Sequence, residues 1–191
     1  MTKKYDVIIV GAGAAGMISA IEAGKRGRKV LLVDHAKKIG EKIRISGGGR
    51  CNFTNINTHP SKFISNNPKF VISALKQYTQ NDFIDLIKKH KIKFHEKKLG
   101  QLFCDESAQQ IIDMLLLECK MSKVILKKET IVTDVNKEKD KYFVIIDSEK
   151  HFCDSLIIAT GGLSIPKIGA TKFGYDIAQK FNLKIVETLP A

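Results

Sequence analysis

The stretch YDVIIVGAGAAGMISAIEAGKRGRKVLLVD, residues 5–34, determines the fold class of this 191-residue chain. Residues 7–10 form a short apolar run, which is typical of a buried parallel strand. Residues 14–26 have helix-forming composition with apolar positions three or four apart, and residues 30–33 form a second apolar run before Asp34. This strand–helix–strand pattern predicts a doubly wound α/β domain.

Three glycines follow the first strand with the spacing G-x-G-x-x-G. Gly11 allows the tight turn, Gly13 lets a pyrophosphate approach the backbone, and Gly16 lets the helix pack closely against the strand. The helix N-terminus presents N–H groups and a partial positive charge to phosphate oxygens. Asp34 follows Gly16 by 18 positions, close to where an acid binds the ribose hydroxyls of a dinucleotide. This context favours dinucleotide binding over an unrelated glycine-rich turn. NAD and FAD both carry a free ribose diol, whereas the carboxylate repels the 2′-phosphate of NADP.

The composition indicates a globular protein with a substantial core, because 43% of its residues are apolar. The sequence has no apolar run long enough to span a membrane and no signal-peptide pattern, so we expect a cytoplasmic location and no membrane partner. The net charge of +12 suggests nucleic-acid binding. Dispersed lysines nevertheless favour a solvated surface, because guanidinium groups are preferred for base and phosphate recognition. The chain has only four arginines, Arg26, Arg28, Arg44 and Arg50.

The cysteines and histidines have none of the spacings of a metal site, so we expect no metal and no disulfide framework. The cysteines are Cys51, Cys104, Cys119 and Cys153.

A second glycine-rich stretch follows a basic connector and reads ISGGGRCN at residues 45–52. Three consecutive glycines cost backbone entropy in a helix or strand, so they suit a loop that runs against a flat or anionic ligand. Ser46 and Arg50 place hydrogen-bond donors beside that loop, and a planar guanidinium suits phosphate oxygens or the edge of an electron-rich ring. We therefore favour a ligand-binding loop over a flexible linker.

The remaining sequence predicts alternating helices and short strands. Helices are predicted at residues 68–78, 79–90, 107–116 and 173–181. Strands are predicted at residues 92–95 and 101–104 as a hairpin, at 124–126, 130–135, 142–146 and 151–153 as a small antiparallel excursion, at 155–159 as a return strand of the main sheet, and at 183–186. Residues 53–67 and 166–172 are predicted to be loops. The return strand ends in Thr160, Gly161 and Gly162, and glycines at the carboxyl end of a parallel strand mark the usual ligand site of doubly wound folds.

With these motifs in order, the chain resembles the BaiN/RdsA, or aminoacetone-oxidase-like, family of bacterial NAD(P)/FAD-dependent oxidoreductases. The matching segments are GAGAAG at 11–16, ISGGGRCNFTN at 45–55 and ATGGLSIP at 159–166. The resemblance implies a Rossmann-like FAD-binding domain, a parallel sheet flanked by helices with a small antiparallel β excursion. Two segments depart from the pattern of the family: Gly-Arg-x-Phe-Pro is replaced by residues 100–104, and Gly-Asp-Gly by residues 172–174.

The resemblance also implies a set of cofactor-binding residues. In such proteins the first motif holds the FAD pyrophosphate, Asp34 takes the adenosine ribose, and the residue matching Val132 meets adenine through its backbone. The SGGGRCN loop and the ATGG turn lie along the pyrophosphate and the flavin. The set implied for this chain is Gly11, Gly13, Ala14, Ala15, Gly16, Asp34, His35, Lys42, Ser46, Gly47, Gly48, Gly49, Arg50, Cys51, Asn52, Val132, Ala159, Thr160, Gly161 and Gly162.

Family members are about twice as long as this chain, so the resemblance implies that residues 1–191 are the N-terminal portion of an FAD/dinucleotide-binding domain. An inserted substrate domain and a C-terminal return segment are then absent, and the fold is incomplete relative to the family. The expected function is hydride transfer through FAD between NAD(P)H, or a reduced small molecule, and an unidentified acceptor. We expect a small-molecule substrate and no nucleic-acid partner, and we assign neither catalytic residues nor an oligomeric state. The alternatives are a flavin-containing RNA-modifying or RNA-binding protein, suggested by the charge, and a non-catalytic dinucleotide-binding fragment.

Overall fold

The computed structural model describes residues 3–165 and 169–188. The chain divides into two compact units, one formed by Met1–Glu41 with Leu115–Ala191 and the other by Lys42–Met114. The interpretation of residues 1–191 as a portion of one cofactor-binding domain stays a prediction. In chain order the elements are β1 (Lys3–Val10), α1 (Ala14–Lys25), β2 (Val30–Val33), α2 (Glu41–Ile45), β3 (Asn52–Asn55), α3 (Ile72–Gln77), α4 (Gln80–Lys89), β4 (Phe94–Glu96), β5 (Gln101–Cys104), α5 (Gln109–Met121), β6 (Ile125–Lys127), β7 (Val132–Glu138), β8 (Lys141–Ile146), β9 (Glu149–Ile158) and α6 (Phe173–Lys180).

The first unit is built on a six-stranded sheet of order β6-β2-β1-β9-β8-β7. Strands β6, β2, β1 and β9 are parallel, and β8 and β7 extend the sheet with antiparallel pairing. Ile8 and Leu31 are fully buried in a cluster that also contains Ile177 of α6. Ile9 and Leu32 alternate with them and are equally buried, as expected for central strands of a sheet covered on both faces. The α/β prediction, a mainly parallel sheet with a small antiparallel part, is confirmed.

Two details of the predicted excursion are wrong. The strands predicted at 151–153 and 155–159 are one strand, β9, whose first half pairs with β8 while residues from His151 onward pair with β1. Asp154, between the two predicted strands, does not by itself form a turn, so the chain stays extended through it. Strand β9 therefore connects the antiparallel part of the sheet directly to the parallel part. The strand predicted at 124–126 belongs to the parallel edge, because Ile125 pairs with Leu31 of β2.

The second unit contains a three-stranded antiparallel sheet of order β3-β5-β4. The ring of Phe53 packs 6.0 Å from that of Phe83 in α4 and 5.5 Å from that of Phe94, measured between centroids. Helix α4 begins with a complete capping box, in which Thr79 accepts from the Asp82 N–H and the Asp82 carboxylate accepts from the Thr79 N–H. The confirmed start of α4 at Thr79 therefore rests on a local sequence signal.

Several predicted boundaries are wrong. The helix predicted at 68–78 begins only at Ile72, because residues 67–70 close a tight turn in which the Phe70 N–H donates to the Asn67 carbonyl. Part of the predicted loop 53–67 is strand β3, formed by pairing with β5 that a single strand's pattern does not reveal. Residues 183–186 form no strand in the described part of the chain. Loop residues 166–168 of the predicted 166–172 segment lie outside the described residues.

Within residues 3–165 and 169–188, no helix has both the length and the apolar character needed to cross a bilayer. The same ranges contain no group of three or more His, Cys, Asp or Glu side chains that could hold a metal ion. The cytoplasmic location stays a prediction.

Candidate cofactor-binding site

Packing within the protein requires two of the three glycines between β1 and α1. Gly11 has a φ of +105°, and a Cβ at this position would lie 2.5 Å from the carbonyl oxygen of Ala159. A Cβ on Gly16 would lie 1.8 Å from the carbonyl oxygen of Gly11. Any side chain at either position would force the backbone apart, so these glycines are explained by the fold.

Packing within the protein does not explain why residue 13 is a glycine. Its φ of −81° and ψ of −170° are open to any residue, and a Cβ built there would meet no protein atom within 4 Å. The space beside this backbone is therefore open, as the close approach of a pyrophosphate requires. The observation fits the predicted role of Gly13.

The N-terminus of α1 is suited to bind an anion. The cap residue is Gly13, which has no side chain to occupy the first N–H groups, and the first turn contains no acidic residue. Ala14 and Ala15 are exposed there and contribute only methyl groups. The N–H groups and the helix dipole of this 12-residue helix are therefore accessible to phosphate oxygens.

Asp34 is held firmly at the carboxyl end of β2. Its Oδ2 accepts from the Ala12 N–H at 2.6 Å and its Oδ1 accepts from the Ala36 N–H at 2.8 Å. The side chain is 13% exposed. Each carboxylate oxygen has capacity for a second hydrogen bond, so a ribose diol can still be accommodated.

The neighbouring segment is fixed against Asp34 by backbone hydrogen bonds. The Asp34 N–H donates to the Lys127 carbonyl at 2.9 Å, and the Thr130 N–H donates to the Asp34 carbonyl at 3.0 Å. Val132, two residues beyond Thr130, starts β7 and is half-buried. His35 is 57% exposed, with its Nδ1 3.7 Å from Asp34 Oδ1. Asp34, His35 and Val132 thus lie in one unit, as the adenosine end of the predicted site requires.

The turn at residues 159–162 completes this edge of the sheet. The Ala159 N–H donates to the Val10 carbonyl at 2.7 Å, which continues the pairing of β9 with β1. Gly161 has a φ of +76°. A Cβ on Gly162 would lie 3.3 Å from the hydroxyl oxygen of Tyr175, and a Cβ on Gly174 would lie 3.0 Å from Thr160 Oγ1. The carboxyl ends of β1, β2 and β9 therefore bring the first and third motifs together.

Residues 46–52 belong to the second unit and form an anchored loop. Gly47, Gly48 and Gly49 have φ values of +59°, +65° and +85°. The Gly49 carbonyl accepts from the Ala108 N–H at 2.7 Å, and the Arg50 carbonyl accepts from the Cys104 N–H at 2.9 Å. These bonds are not those of a flexible linker, and the ligand-loop interpretation stays a prediction.

The glycines of this loop also differ among themselves. A Cβ on Gly47 would lie 2.7 Å from the ring of Phe103, whereas Cβ atoms on Gly48 and Gly49 would meet nothing within 4 Å. Arg50 is exposed. The loop therefore has an open backbone face with a guanidinium beside it.

The two cysteines of the second unit are buried free thiols. Burial raises the pKa of the Cys51 thiol, although a hydrogen bond involving Ser46 partly opposes the shift. Burial also raises the pKa of Cys104 to about 12, with smaller contributions from the neighbouring Cys51 and Asp105 side chains. Both thiols are protonated at neutral pH, so neither provides a nucleophilic thiolate. Cys51 can contribute to a ligand site only through its backbone or its contacts.

The predicted residues thus fall into two sets, each assembled within its own unit. The first unit contains Gly11, Gly13, Ala14, Ala15, Gly16, Asp34, His35, Val132, Ala159, Thr160, Gly161 and Gly162, and the second contains Lys42, Ser46, Gly47, Gly48, Gly49, Arg50, Cys51 and Asn52. Their role in binding a cofactor stays a prediction.

Sequence reasoning missed the residues that support this edge. The N–H groups of Ala12 and Ala36 position the Asp34 carboxylate. Gly174 and Tyr175 lie against the 160–162 turn. The glycine in the first turn of α6 was a signal for that close approach, because a glycine inside a helix is otherwise unfavourable.

Comparison with known proteins finds relatives that match almost the whole chain. The chain is 51% identical over 186 residues to the ribosomal RNA dihydrouridine synthase of Escherichia coli K12, which covers 97% of this chain and 46% of that protein. It is 47% identical over 190 residues to the protein of that name from Haemophilus influenzae, again covering 97% of this chain and 47% of the relative. A 3-dehydro-bile acid delta(4,6)-reductase of Clostridium scindens is 25% identical over 186 residues, or 96% of this chain and 45% of that protein. The chain spans about half the length of these curated relatives.

Solved structures show the same fold at low sequence identity. Glycine oxidase from Geobacillus kaustophilus superposes with a TM-score of 0.59 at 13% identity, covering 96% of this chain and 60% of that one. A flavocytochrome c3 fumarate reductase in its open conformation gives a TM-score of 0.61 at 19% identity, covering 93% and 40%. These likenesses concern the fold alone, which is the α/β Rossmann-like fold of FAD-binding domains. The sequence profile of the HI0933-like protein Rossmann domain matches residues 5–189, and the chain belongs to that family.

Proposed function

We propose that this chain is the FAD-binding portion of a flavin-dependent oxidoreductase of the BaiN/RdsA type. Gly13 is the observation that carries the proposal, because neither strain nor packing requires a glycine there and the backbone beside it is open. A bound pyrophosphate is the physical reason for keeping that space free.

In this proposal different residues bind different parts of the cofactor. The N–H groups at the start of α1 bind the pyrophosphate, Asp34 accepts from the adenosine ribose hydroxyls, and the backbone at Val132 meets adenine. In the first unit the turn at 159–162 follows the pyrophosphate and the flavin. For the loop at 46–52 of the second unit the family resemblance implies contacts with the same cofactor, with Arg50 balancing negative charge. FAD supplies two-electron chemistry when bound, with NAD(P)H or a reduced small molecule as the electron donor. The protein binds and orients the cofactor, and no described side chain is assigned as general acid or base.

A second candidate concerns the substrate. The two most similar relatives reported above are named ribosomal RNA dihydrouridine synthases. Dihydrouridine forms when two electrons and two protons add across the C5=C6 bond of uridine, so this activity is itself a reduction. The whole protein is then an oxidoreductase whose acceptor is a uridine of ribosomal RNA, and the net charge of +12 suits an anionic substrate. The third candidate is a fragment that binds FAD without turnover.

The first test is the visible absorption spectrum of the 191-residue chain after gel filtration with and without added FAD. We expect a flavin spectrum in the protein peak. Gly13→Ala should lower FAD affinity about tenfold or more, because one added methyl group in a filled contact costs about 1–3 kcal/mol. Gly27→Asn is the matched control at the other end of α1, where a side chain also meets nothing and Asn tolerates a φ of +73°.

The outcomes separate the proposals. A natively folded chain that binds no FAD contradicts the sufficiency of these residues for binding, and a full-length version that also binds no FAD contradicts the proposed function. Gly13→Ala that binds FAD like the unmodified chain contradicts the role of the open space. If FAD binds, anaerobic reduction by NADH and by NADPH is compared next. Oxidation of the reduced flavin by uridine-containing RNA favours the second candidate, and bound flavin that no donor reduces favours the third.

A further inference from the structure

Charge is distributed very unevenly in the second unit. Residues 42–81 contain no Asp or Glu, although the whole chain has 20 acidic residues in 191. The same stretch contains six cationic side chains: Lys42, Arg44, Arg50, Lys62, Lys69 and Lys76. The two arginines and Lys42 flank the glycine loop, but Lys62, Lys69 and Lys76 lie in a separate segment that the proposed cofactor site does not use.

That segment also exposes apolar side chains. Phe63 is 44% exposed and Phe70 is 75% exposed, and each directly follows a lysine, Lys62 and Lys69. Ile64 is fully exposed. We call residues 62–76 the Lys–Phe segment.

The local structure holds these side chains outward. Lys62 ends a 3₁₀ turn (Pro60–Lys62), and the Phe63 N–H donates to the Pro60 carbonyl at 3.1 Å. Phe70 ends a second turn, in which the Phe70 N–H donates to the Asn67 carbonyl at 3.0 Å. Among the described residues, no ion pair links Lys62 or Lys69 to a carboxylate. The segment therefore offers free ammonium groups beside exposed aromatic rings.

This combination selects the chemistry of a partner. Lysines alone are explained as a solvated surface, but two exposed phenylalanines and an exposed isoleucine within eight positions are not. A partner that is anionic and offers planar apolar faces complements both the lysines and the exposed rings. Single-stranded RNA does both, because its phosphates pair with lysines and its bases stack on aromatic side chains.

We propose that the Lys–Phe segment binds single-stranded RNA, with phosphates on Lys62, Lys69 and Lys76 and bases stacked on Phe63 and Phe70. The inference deepens the second candidate function, on which it rests, by naming the surface that holds the RNA. It opposes, for this segment, the expectation that the lysines are only solvated.

The test is fluorescence anisotropy of a labelled single-stranded RNA of 20 uridines, titrated with the 191-residue chain at stepped KCl concentrations. Lys62→Gln/Lys69→Gln/Lys76→Gln should reduce the slope of log affinity against log salt by about 2, because each neutralised phosphate of a single strand contributes about 0.7. Lys120→Gln/Lys123→Gln/Lys128→Gln removes the same charge from exposed positions of the other unit and should leave most of the slope intact. This pair separates a local surface from a general effect of net charge.

A separate variant tests the stacking of RNA bases on the two phenylalanines. Phe63→Ala/Phe70→Ala should weaken RNA binding about fivefold or more at fixed salt with an unchanged slope, since base stacking is not a counterion effect. Both side chains are exposed, so circular dichroism should report a native fold. Equal RNA affinity for the unmodified chain and this variant overturns the proposal, and so does an equal loss of slope in the two lysine triples.

Two further readouts assign a failure to its cause. Sedimentation of the unmodified chain and of Phe63→Ala/Phe70→Ala shows whether the surface joins two copies of the chain instead, and a dimer lost in the variant without change in RNA affinity overturns the proposal. FAD absorbance of the same samples tests the proposed function separately. Bound FAD without RNA binding removes only the RNA surface, whereas a folded chain that binds RNA but no FAD, in this and in a full-length version, removes only the proposed flavin function.

Discussion

Gly16→Ala tests whether the β1–α1 turn is limited by packing inside the protein. Gly16 lies in the first turn of α1, where helix propensity alone favours alanine by about 1 kcal/mol. The structure predicts the opposite sign, because the new Cβ would lie 1.8 Å from the carbonyl oxygen of Gly11 and 3.0 Å from its carbonyl carbon.

The size of the effect follows from the atom that must move. Relieving the contact needs a separation of roughly 3 Å, so backbone must shift by about 1 Å or more in a turn that also carries the Gly11–Val33 hydrogen bond. Overpacking of well-packed sites costs about 1–3 kcal/mol, and a rigid carbonyl belongs at the upper end of that range. After the gain in helix propensity, we expect Gly16→Ala to lower the free energy of unfolding by about 2 kcal/mol.

The assay is urea denaturation without FAD, followed by circular dichroism, on the unmodified chain, Gly16→Ala and Gly13→Ser. Gly13→Ser is the matched partner, since its side chain enters open space and serine is a good N-cap at these dihedral angles, so its stability should equal or slightly exceed that of the unmodified chain. If Gly16→Ala proves as stable as the unmodified chain, the packing argument is refuted. If Gly13→Ser loses stability as Gly16→Ala does, the distinction between a packing glycine and a ligand glycine fails.

Two further outcomes concern the second unit. Thr79→Ala should lower stability by about 1 kcal/mol through loss of the α4 cap, measured by urea denaturation at pH 7, and no change would contradict the capping box. Hydrogen bonds from Thr79 lower the pKa of Asp82, so its contribution is present above the ordinary value of 3.8 and is lost as pH falls through the folded pKa. The stability gap between the unmodified chain and Asp82→Asn should therefore close in acid, while Asp85→Asn, outside the box, should show a smaller gap than Asp82→Asn at pH 7. Because burial raises the pKa of Cys104 to about 12, iodoacetamide at pH 8 should modify it only after unfolding, and mass spectrometry showing its modification in the native chain would count against the buried thiol.

The sequence predicted the parts of the fold that depend on local signals. The first strand, α1 and β2 follow from periodicity and the glycines, and the start of α4 follows from Thr79. The continuity of β9 could not be predicted, because it depends on two different neighbours, β8 and β1, that pair with opposite directions along one strand. The helix predicted at 68–78 failed for a related reason. Its apolar positions imply a buried face, yet Phe70 is exposed, so the pattern carried no information about packing.

The site shows a similar division. Residue types and spacing predicted Asp34 and the glycines as site residues, whereas the N–H groups of Ala12 and Ala36 that hold the carboxylate belong to the backbone and have no residue signature. Backbone donors are fixed by the fold, so alanine serves as well as most residues at such positions. Sequence reasoning finds the acceptor of such a contact and misses its donors.

The glycines of the predicted site differ in whether a substitution would change cofactor affinity separately from the stability of the fold. At the carboxyl end of the main sheet the Gly11 and Ala159 N–H groups are hydrogen-bonded into the strand pairing, so the turn is preorganised before any ligand binds and a cofactor loses little affinity to ordering it. Gly48 also leaves an open backbone, but its φ of +65° means that a substitution there changes strain and ligand contact together. Gly13 combines open space with dihedral angles that any residue adopts. We therefore expect a side chain at Gly13 to weaken the proposed FAD binding without perturbing the fold, so that a loss of FAD in such a variant would not be attributed to unfolding.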